Sequence, residues 1–334
     1  MILLTGATGL VGGHLLWHLL QENEKVVAIK RKTSNTKILE LIFGFYGDDS
    51  KKLLDKVEWR IADVLDKTSL INAMADIDTV YHCAAVVSLG MGSQQLINTN
   101  VQGTQNIVDA AMEKSVKAFC MVSSIAACGK SKNKELVDEK TEREENAQIA
   151  AYAQSKFLSE KVVWEAINKG LNACIVNPGV ILGFSGTQSG SSQLFTQVRK
   201  GLPFYTSGGS GYVDVQDVVK AMILLVHAEK FGERYILIAE NNSNKEILTW
   251  MARGFAKNPP LILIPRSVLL VVGTLLQEIS KITRKAPLLD KNMARSATNR
   301  EFYSSEKFVK TFGYKFNSIE NCIYSVCKHW DNVF

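Results

Sequence analysis

Short apolar runs alternate with longer amphipathic segments over the first two thirds of the chain. The apolar runs lie at Ile2–Leu4, Lys25–Lys30, Val57–Ala62, Thr79–Cys83, Ala118–Val122 and Asn172–Gly183. Such runs are typical of strands that are buried on both faces of a parallel sheet. The segments between them predict helices at Leu10–Leu20, Ile38–Phe45, Thr68–Met74 and Ala147–Lys169, and a long helix that opens at Asn98–Asn106. The alternation predicts an α/β fold with a doubly wound parallel sheet.

The first apolar run leads into a glycine-rich turn with the spacing Gly6, Gly9, Gly12. Gly6 permits a tight turn, Gly9 lets a ligand approach the backbone, and Gly12 lets the next helix pack on the strand. The start of that helix offers unpaired N–H groups and the positive end of the helix dipole, which suit a pyrophosphate. The turn therefore predicts a dinucleotide site. We assign Thr5, Thr8, Leu10 and Val11 to the same site.

The second predicted strand ends in the basic residues Lys30, Arg31 and Lys32. At this position an acidic side chain accepts a hydrogen bond from the ribose of NAD, whereas a basic one accommodates the 2′-phosphate of NADP. No acidic residue lies between Val26 and Glu40. Arg31 and Lys32 therefore favour NADP over NAD as the cofactor, and a solvated basic strand end is the alternative interpretation.

Tyr152 and Lys156 lie four residues apart in a predicted helix, so they share one face. Free tyrosine ionises near pH ~10, so its use as an acid or base at neutral pH needs a nearby cation that stabilises the phenolate. Ser124, at the end of the fifth predicted strand, would bond the same substrate oxygen, with Ser123 as the alternative hydroxyl. Tyr152 is thus predicted to donate a proton to a carbonyl oxygen while a nicotinamide delivers hydride, or to accept one in reverse.

The same Tyr-x-x-x-Lys spacing recurs at Tyr303–Lys307 and Tyr324–Lys328. Both pairs lie near the C-terminus, outside the strand-helix alternation, and their pattern predicts an amphipathic helix surface. Tyr152 alone follows a strand that ends in two serines within the glycine-turn domain. The first pair is therefore the predicted catalytic one.

Together, the glycine turn after Thr5, the strand end Ser123-Ser124 and the Tyr152–Lys156 pair resemble the extended branch of the short-chain dehydrogenase/reductase superfamily, the NAD-dependent epimerases and dehydratases. The resemblance implies a Rossmann-type sheet and selects the second serine as the catalytic one. It places Asp63 and Val64 against the adenine. It also places the small residues Ala84 and Ala85 under the cofactor, and the turn of Pro178, Gly179 and Val180 against the nicotinamide.

Segments beyond residue 200 resemble the dihydroflavonol reductase and 3β-hydroxysteroid dehydrogenase side of this branch. They are Gly208–Val219, Ile264-Pro265, 285–288 and Gly313-Tyr314. Nucleotide-sugar epimerases share the fold and the catalytic set, and they usually hold the diphosphate with an arginine near residues 208–211. Residues 204–216 contain no Arg or Lys, although Arg199, Lys200 or Arg253 could substitute. Asn177 fits either group.

Three functions follow from these patterns. The leading one is an NADP-dependent oxidoreductase that reduces a ketone or aldehyde of a small apolar or aromatic molecule. The alternative is a nucleoside-diphosphate-sugar epimerase or dehydratase with bound NAD. A non-catalytic NADP-sensing regulator is a third, but it would not need the Ser-Tyr-Lys set. We expect the cofactor domain at residues 1–176 with 213–230, and a smaller, mostly helical substrate domain at 177–212 with 231–334.

Composition narrows the choice of partners. The 334 residues carry a formal charge of +6, but the basic residues are dispersed, so no nucleic-acid partner is predicted. Six cysteines without a C-x-x-C pair indicate reduced core thiols, and five scattered histidines predict no metal site. The first strand starts almost at Met1, which predicts no leader peptide and a cytoplasmic protein. The family resemblance also implies a homodimer through the Tyr152 helix and the helix before it.

Two further segments carry expectations of their own. The apolar stretch Leu261–Ile279 is interrupted by Pro265 and Arg266, and it is too short for an integral membrane segment, which needs about 20 apolar residues. It predicts a helix of the second domain that lines an apolar pocket. Residues 130–146 are polar and highly charged, which predicts a surface loop.

Overall fold

The computed structural model describes residues 1–22, 25–47, 49–87, 93–130, 136–143, 150–186, 190–283 and 291–333. Its strands are β1 (Ile2–Thr5), β2 (Val26–Lys30), β3 (Val57–Ile61), β4 (Thr79–His82), β5 (Ala118–Val122), β6 (Ala173–Pro178), β7 (Val180–Leu182), β8 (Phe204–Tyr205), β9 (Gly209–Asp214), β10 (Glu233–Leu237), β11 (Glu240–Ser243) and β12 (Ile262–Leu263). Its helices are α1 (Leu10–Glu22), α2 (Ile38–Phe45), α3 (Ser50–Leu54), α4 (Lys67–Ala73), α5 (Ser93–Glu113), α6 (Ala151–Asn168), α7 (Ser191–Arg199), α8 (Val215–His227), α9 (Asn244–Gly254), α10 (Arg266–Thr283), α11 (Lys291–Thr298), α12 (Glu306–Phe312) and α13 (Ile319–Val333).

Within the described residues, seven strands form a parallel central sheet in the order β10-β6-β5-β4-β1-β2-β3. The order reverses at β1, which pairs with β2 on one side and with β4 on the other. In such sheets ligands bind outside the carboxyl ends of the strands, at the point of reversal. The predicted doubly wound α/β sheet is confirmed, and it places the glycine turn at the reversal.

Helices cover both faces of the sheet. On one face α1 and α8 bury Leu15 and Met222 against strand residues such as Val176. On the other face α5 and α6 bury Ile107 and Val163. Each fully buried aliphatic side chain contributes roughly 1.5–3 kcal/mol, so the sheet forms a firm base for the strand ends. The helix α8 returns to the sheet, as the sequence predicts, and Asp214 caps its first turn.

The sheet contains one strand that the sequence-based division places in the second domain. β10 pairs with β6 from Glu233–Cys174 to Leu237–Pro178. Residues 233–237 therefore belong to the central sheet rather than to the substrate domain. The pairing joins segments about sixty residues apart, and no local pattern specifies such a partner.

Residues 136–143 differ from the predicted surface loop, while 131–135 and 144–146 lie outside the described residues. Val137 is buried and forms an isolated bridge with Tyr303. The backbone N–H of Ile236 donates to the Glu139 carboxylate at 2.8 Å. The segment thus packs along the outer edge of β10 and pairs with groups that an open strand edge would leave unsatisfied.

The C-terminal part is mostly helical and surrounds two small sheets, β11-β9-β7 and β12-β8. Its core joins α7, α9 and α13 through residues such as Phe195, Met251 and Trp330. The interrupted apolar segment forms β12 and α10. Among the described residues, no helix has the length and apolar character needed to cross a membrane. All six cysteines are free thiols, and five of them are buried.

Candidate active site

The glycine turn adopts a conformation that side chains would block. Gly6 has a left-handed φ of +71°, and a Cβ there would lie 2.7 Å from the backbone nitrogen of Ala84. A Cβ on Gly12 would lie 2.1 Å from the carbonyl oxygen of Gly6. Gly9 is exposed, and a Cβ on it would be 3.3 Å from the same oxygen. The turn itself therefore requires glycine at positions 6 and 12. Gly9 has no side chain, so it leaves the backbone beside the start of α1 accessible to a ligand.

A buried hydrogen-bond chain ties the end of β1 to the end of β4. The Thr5 hydroxyl bonds Nδ1 of His82 at 2.8 Å and accepts a hydrogen bond from the backbone of Ala84 at 3.1 Å. Burial lowers the pKa of His82 to about 3, and the nearby Lys156 acts in the same direction. The imidazole is thus neutral at physiological pH. This tie holds Ala84 half-buried and leaves Ala85 exposed at the strand end.

The predicted catalytic hydroxyls come together at the end of β5. The side chains of Ser124 and Tyr152 lie beside each other, and Ser124 accepts a hydrogen bond from the backbone N–H of Ala126 at 3.1 Å. Burial raises the pKa of Tyr152, and the neighbouring Ser124 side chain acts in the opposite direction. Tyr152 therefore carries its proton at neutral pH and can donate it.

Lys156 lies on α6 one turn after Tyr152 and is 4% exposed. Its amino group donates to the carbonyl oxygen of Val122 at 2.9 Å. Burial lowers the pKa of Lys156 to about 8, and the neighbouring Glu160 acts in the opposite direction. This bond anchors the cation to the end of β5.

Ser123, the alternative hydroxyl, faces away from Tyr152. It is 3% exposed, and its hydroxyl donates to the Glu160 carboxylate at 2.5 Å. Of the two serines, Ser124 is thus the one whose side chain meets the tyrosine. The choice of Ser124 as the catalytic serine stays a prediction.

Glu160 is the centre of a buried network that the sequence analysis missed. Its Oε1 also accepts from the amide of Asn177 at 2.6 Å, and its Oε2 lies 3.5 Å from a guanidinium nitrogen of Arg234. The same Asn177 amide donates to the carbonyl oxygen of Ser124 at 2.9 Å. Burial raises the pKa of Glu160, and its hydrogen-bond donors oppose this. The position of Glu160 four residues after Lys156 was the available signal, because it puts both on one face of α6.

Asn100 is a second residue that sequence reasoning passed over. Its side chain accepts from the backbone N–H of Val86 at 2.8 Å and donates to the carbonyl of Val86 at 2.9 Å. It also donates to the hydroxyl of Ser155 at 3.0 Å. This buried amide fixes the chain after β4 against α6, three residues beyond Tyr152.

The remaining predicted site residues lie at the carboxyl ends of β2, β3 and β6. Arg31 and Lys32 are exposed directly after β2. Asp63 accepts a hydrogen bond from the backbone of Leu65 at 2.9 Å, and the carbonyl of Val64 accepts one from Asn106 at 2.9 Å. At the end of β6, Pro178 is buried, Gly179 is half-buried and Val180 is exposed. A Cβ on Gly179 would lie 2.3 Å from the carbonyl oxygen of Gly211, so the close contact with β9 requires glycine.

This arrangement of a glycine turn, strand-end serine and helical Tyr-Lys pair agrees with a comparison against known families. The model of the NAD dependent epimerase/dehydratase family matches residues 2–238. The chain belongs to this family. It is accordingly an NAD(P)-dependent enzyme of the extended short-chain dehydrogenase/reductase type.

Individual members of the NAD dependent epimerase/dehydratase family are similar over most of the chain. A Synechocystis protein named "Putative dihydroflavonol 4-reductase" is 26% identical and covers 98% of this chain and 93% of its own. Cinnamoyl-CoA reductase 1 of Petunia hybrida is 25% identical, covering 98% and 91%. The crystal structure of a dTDP-glucose 4,6-dehydratase from Streptomyces venezuelae, determined with NAD bound, has a TM-score of 0.77 at 17% identity and covers 99% and 97%. That last similarity shows the shared fold.

The turn of this epimerase/dehydratase family member fits a dinucleotide. The accessible backbone at Gly9 adjoins the first turn of α1. The backbone N–H groups of that first turn have no hydrogen-bond partner within the helix. A pyrophosphate placed there would meet both the N–H groups and the positive end of the helix dipole. No cluster of His, Cys, Asp and Glu suited to a metal ion occurs among the residues that the structure describes.

The two other Tyr-x-x-x-Lys pairs lie apart from this site. Tyr303 forms a β-bridge with Val137 rather than part of a helix, which corrects the prediction for that residue. Tyr324 lies on α13, and its hydroxyl donates to Glu320 at 2.8 Å. In this chain, Tyr-x-x-x-Lys spacing alone therefore does not single out the predicted catalytic pair.

Proposed function

We propose that this protein is an NADP-dependent reductase acting on a ketone or aldehyde of a small apolar or aromatic molecule. The neighbouring hydroxyls of Ser124 and Tyr152, with buried Lys156 one helical turn away, carry this proposal. They form a proton donor at the carboxyl edge of a sheet whose reversal point carries the dinucleotide turn.

In the proposed reaction, the bound nicotinamide supplies the hydride that adds to the carbonyl carbon. Ser124 holds the carbonyl oxygen by a hydrogen bond, and Tyr152 donates its proton to that oxygen as negative charge develops there. Because burial favours the protonated phenol, Tyr152 is ready to donate. The cation of Lys156, retained below about pH 8, stabilises the phenolate that remains.

The dinucleotide would lie along the carboxyl edge from the glycine turn to β6. Its pyrophosphate would lie over residues 5–12, with Asp63 and Val64 beside the adenine and Pro178, Gly179 and Val180 against the nicotinamide. Arg31 and Lys32 support the preference for NADP, because exposed cations at the end of β2 suit a 2′-phosphate.

Several observations support a reductase over a nucleotide-sugar enzyme. Residues 204–216 carry no Arg or Lys. Arg199, one of the substitutes for a diphosphate ligand, is paired with Asp331 at 3.2 Å. Asn177 donates to Ser124 and Glu160, which gives it a supporting position rather than a free one. Two of the similar proteins also carry reductase names.

The test is a turnover assay with the purified protein. NADPH and NADH consumption is followed with a panel of apolar and aromatic ketones and aldehydes, and nucleotide sugars are assayed in parallel for conversion. We expect reversible NADPH binding and NADPH consumption with carbonyl compounds. Protein that purifies with NAD(H) that does not exchange, and that converts a nucleotide sugar without net cofactor use, would contradict the proposal.

A further inference from the structure

Large apolar side chains are exposed on the small sheet of the C-terminal part. Residues Leu261, Ile262 and Leu263 are 81%, 53% and 46% exposed. Ile262 pairs with Phe204 of β8, which is 42% exposed. Single exposed apolar side chains are ordinary on a protein surface, but a contiguous group is not.

The helix α10 extends this surface. Val268, Val271, Val272 and Leu275 are all exposed, and their spacing puts them on one side of the helix. The other side packs against the protein through Leu269 and Gly273, which are buried. α10 begins three residues after β12 ends, so its exposed stripe follows the two-stranded sheet directly in the chain. Phe204, residues 261–263 and this stripe are called the apolar face below.

Cations border the apolar face. Lys200 and Lys257 line one cavity of about 370 Å³ together with the ion pair of Arg199 and Asp331, and each lysine lies four residues before an exposed residue of the face. Arg266 opens α10 at the other end of the sheet, and the ammonium of Lys245 lies 5.0 Å from the ring centre of Tyr205 on β8. The sequence contains no Asp or Glu at 166–213 or at 247–277, the segments within which the residues of the face lie. The face therefore combines apolar side chains with a positive border.

We propose that the apolar face binds the surface of an anionic lipid bilayer, with α10 lying in the plane of the interface. Helices that bind in this way bury an apolar stripe in the lipid and place cations near the headgroups. A second copy of this chain fits the charges less well, because a symmetric contact would bring the same positive border together twice.

The proposal does not depend on the proposed reaction, so vesicle binding tests it alone. Full-length protein is sedimented with vesicles of phosphatidylcholine containing roughly 30 mol% phosphatidylglycerol, and with pure phosphatidylcholine vesicles. We expect binding to the anionic vesicles that weakens with added salt, and much weaker binding to the neutral ones.

Matched valine variants locate the surface. Val271→Glu should lower the partition onto anionic vesicles at least about tenfold, because a charge replaces an inserted apolar group. Val309→Glu on α12 is the control, since Val309 is also an exposed helical valine, at 38%. Its binding should match the wild type. Lys200→Glu with Lys257→Glu should also weaken anionic binding, and circular dichroism melting checks that every variant is folded.

Three results would overturn the proposal. The first is no sedimentation with either vesicle. The second is an equal loss in Val271→Glu and Val309→Glu, which would mean nonspecific attraction. The third is a dimer in size-exclusion chromatography that Val271→Glu dissociates while vesicle binding is absent, which would assign the face to a second copy.

Discussion

The two ends of the proposed cofactor cleft are built in opposite ways. At the catalytic end, Lys156 and Glu160 are 4% and 3% exposed, and both are held by hydrogen bonds. At the ribose end, Arg31 and Lys32 are exposed on the turn after β2. A buried charge cannot change without leaving its partners unsatisfied, whereas an exposed charge is under no such constraint. Under the proposed function, the interior would set the chemistry, while the surface would set the choice of cofactor.

The largest effect is expected from the catalytic end. Tyr152→Phe removes the proposed proton donor and should lower kcat/KM about 10²–10⁴-fold, with cofactor affinity nearly unchanged. Tyr324→Phe is the matched control, because Tyr324 has the same spacing to a lysine but lies on α13. Steady-state kinetics and cofactor titration measure both variants. Equal activity of Tyr152→Phe and the wild type would contradict the proposed mechanism.

The next effect concerns the buried carboxylate. Lys156 must be protonated, and with a pKa of about 8 it loses its cation as the pH rises through that value. Glu160 raises this pKa, so Glu160→Gln should move the alkaline decline of kcat/KM to lower pH. The loss should reach up to about tenfold near pH 8 and be small near pH 6.

Glu165→Gln provides the comparison, since Glu165 is an exposed residue of the same helix. Its pH profile should follow the wild type. If Glu160→Gln lowers activity by the same factor at every pH, Glu160 acts only in folding or packing. The prediction that Glu160 acts through the pKa of Lys156 would then be wrong.

The smallest effect is expected at the ribose end. Arg31→Glu should reduce the ratio of NADP to NAD affinity about fivefold, as expected for an exposed charge, without lowering the melting temperature. Lys37→Glu, also exposed in the same connection, should leave the ratio unchanged. Fluorescence titration with both cofactors measures the ratio. A large fall in melting temperature for Arg31→Glu would show that the charge at the ribose end also contributes to folding stability, and this would contradict the comparison.

Local chemistry made much of the fold predictable from sequence. The glycine turn needs residues without side chains, and the helix at Ile38–Phe45 has the predicted bounds because its apolar pattern is strong. Ser124 and Tyr152 could be paired because the carboxyl end of a parallel strand and the start of the next helix meet at one edge.

Features that depend on contacts between distant parts of the chain could not be predicted from the sequence. Arg234 reaches Glu160 only because β10 pairs with β6, and Asn100 reaches Val86 across the cleft edge. Neither contact leaves a periodic trace in the sequence. The exposure of α10 was also out of reach, because an apolar helix stripe has the same pattern whether it faces a pocket, a partner or lipid.

The position of β10 has a consequence for synthesis of the protein. The central sheet gains its last strand only when residues 233–237 have left the ribosome, long after the glycine turn and α6. Until then the edge of β6 is unpaired and Glu160 lacks the guanidinium of Arg234. Between the synthesis of β6 and that of β10, the nascent chain therefore exposes an open strand edge, which is the kind of intermediate that chaperones protect from aggregation.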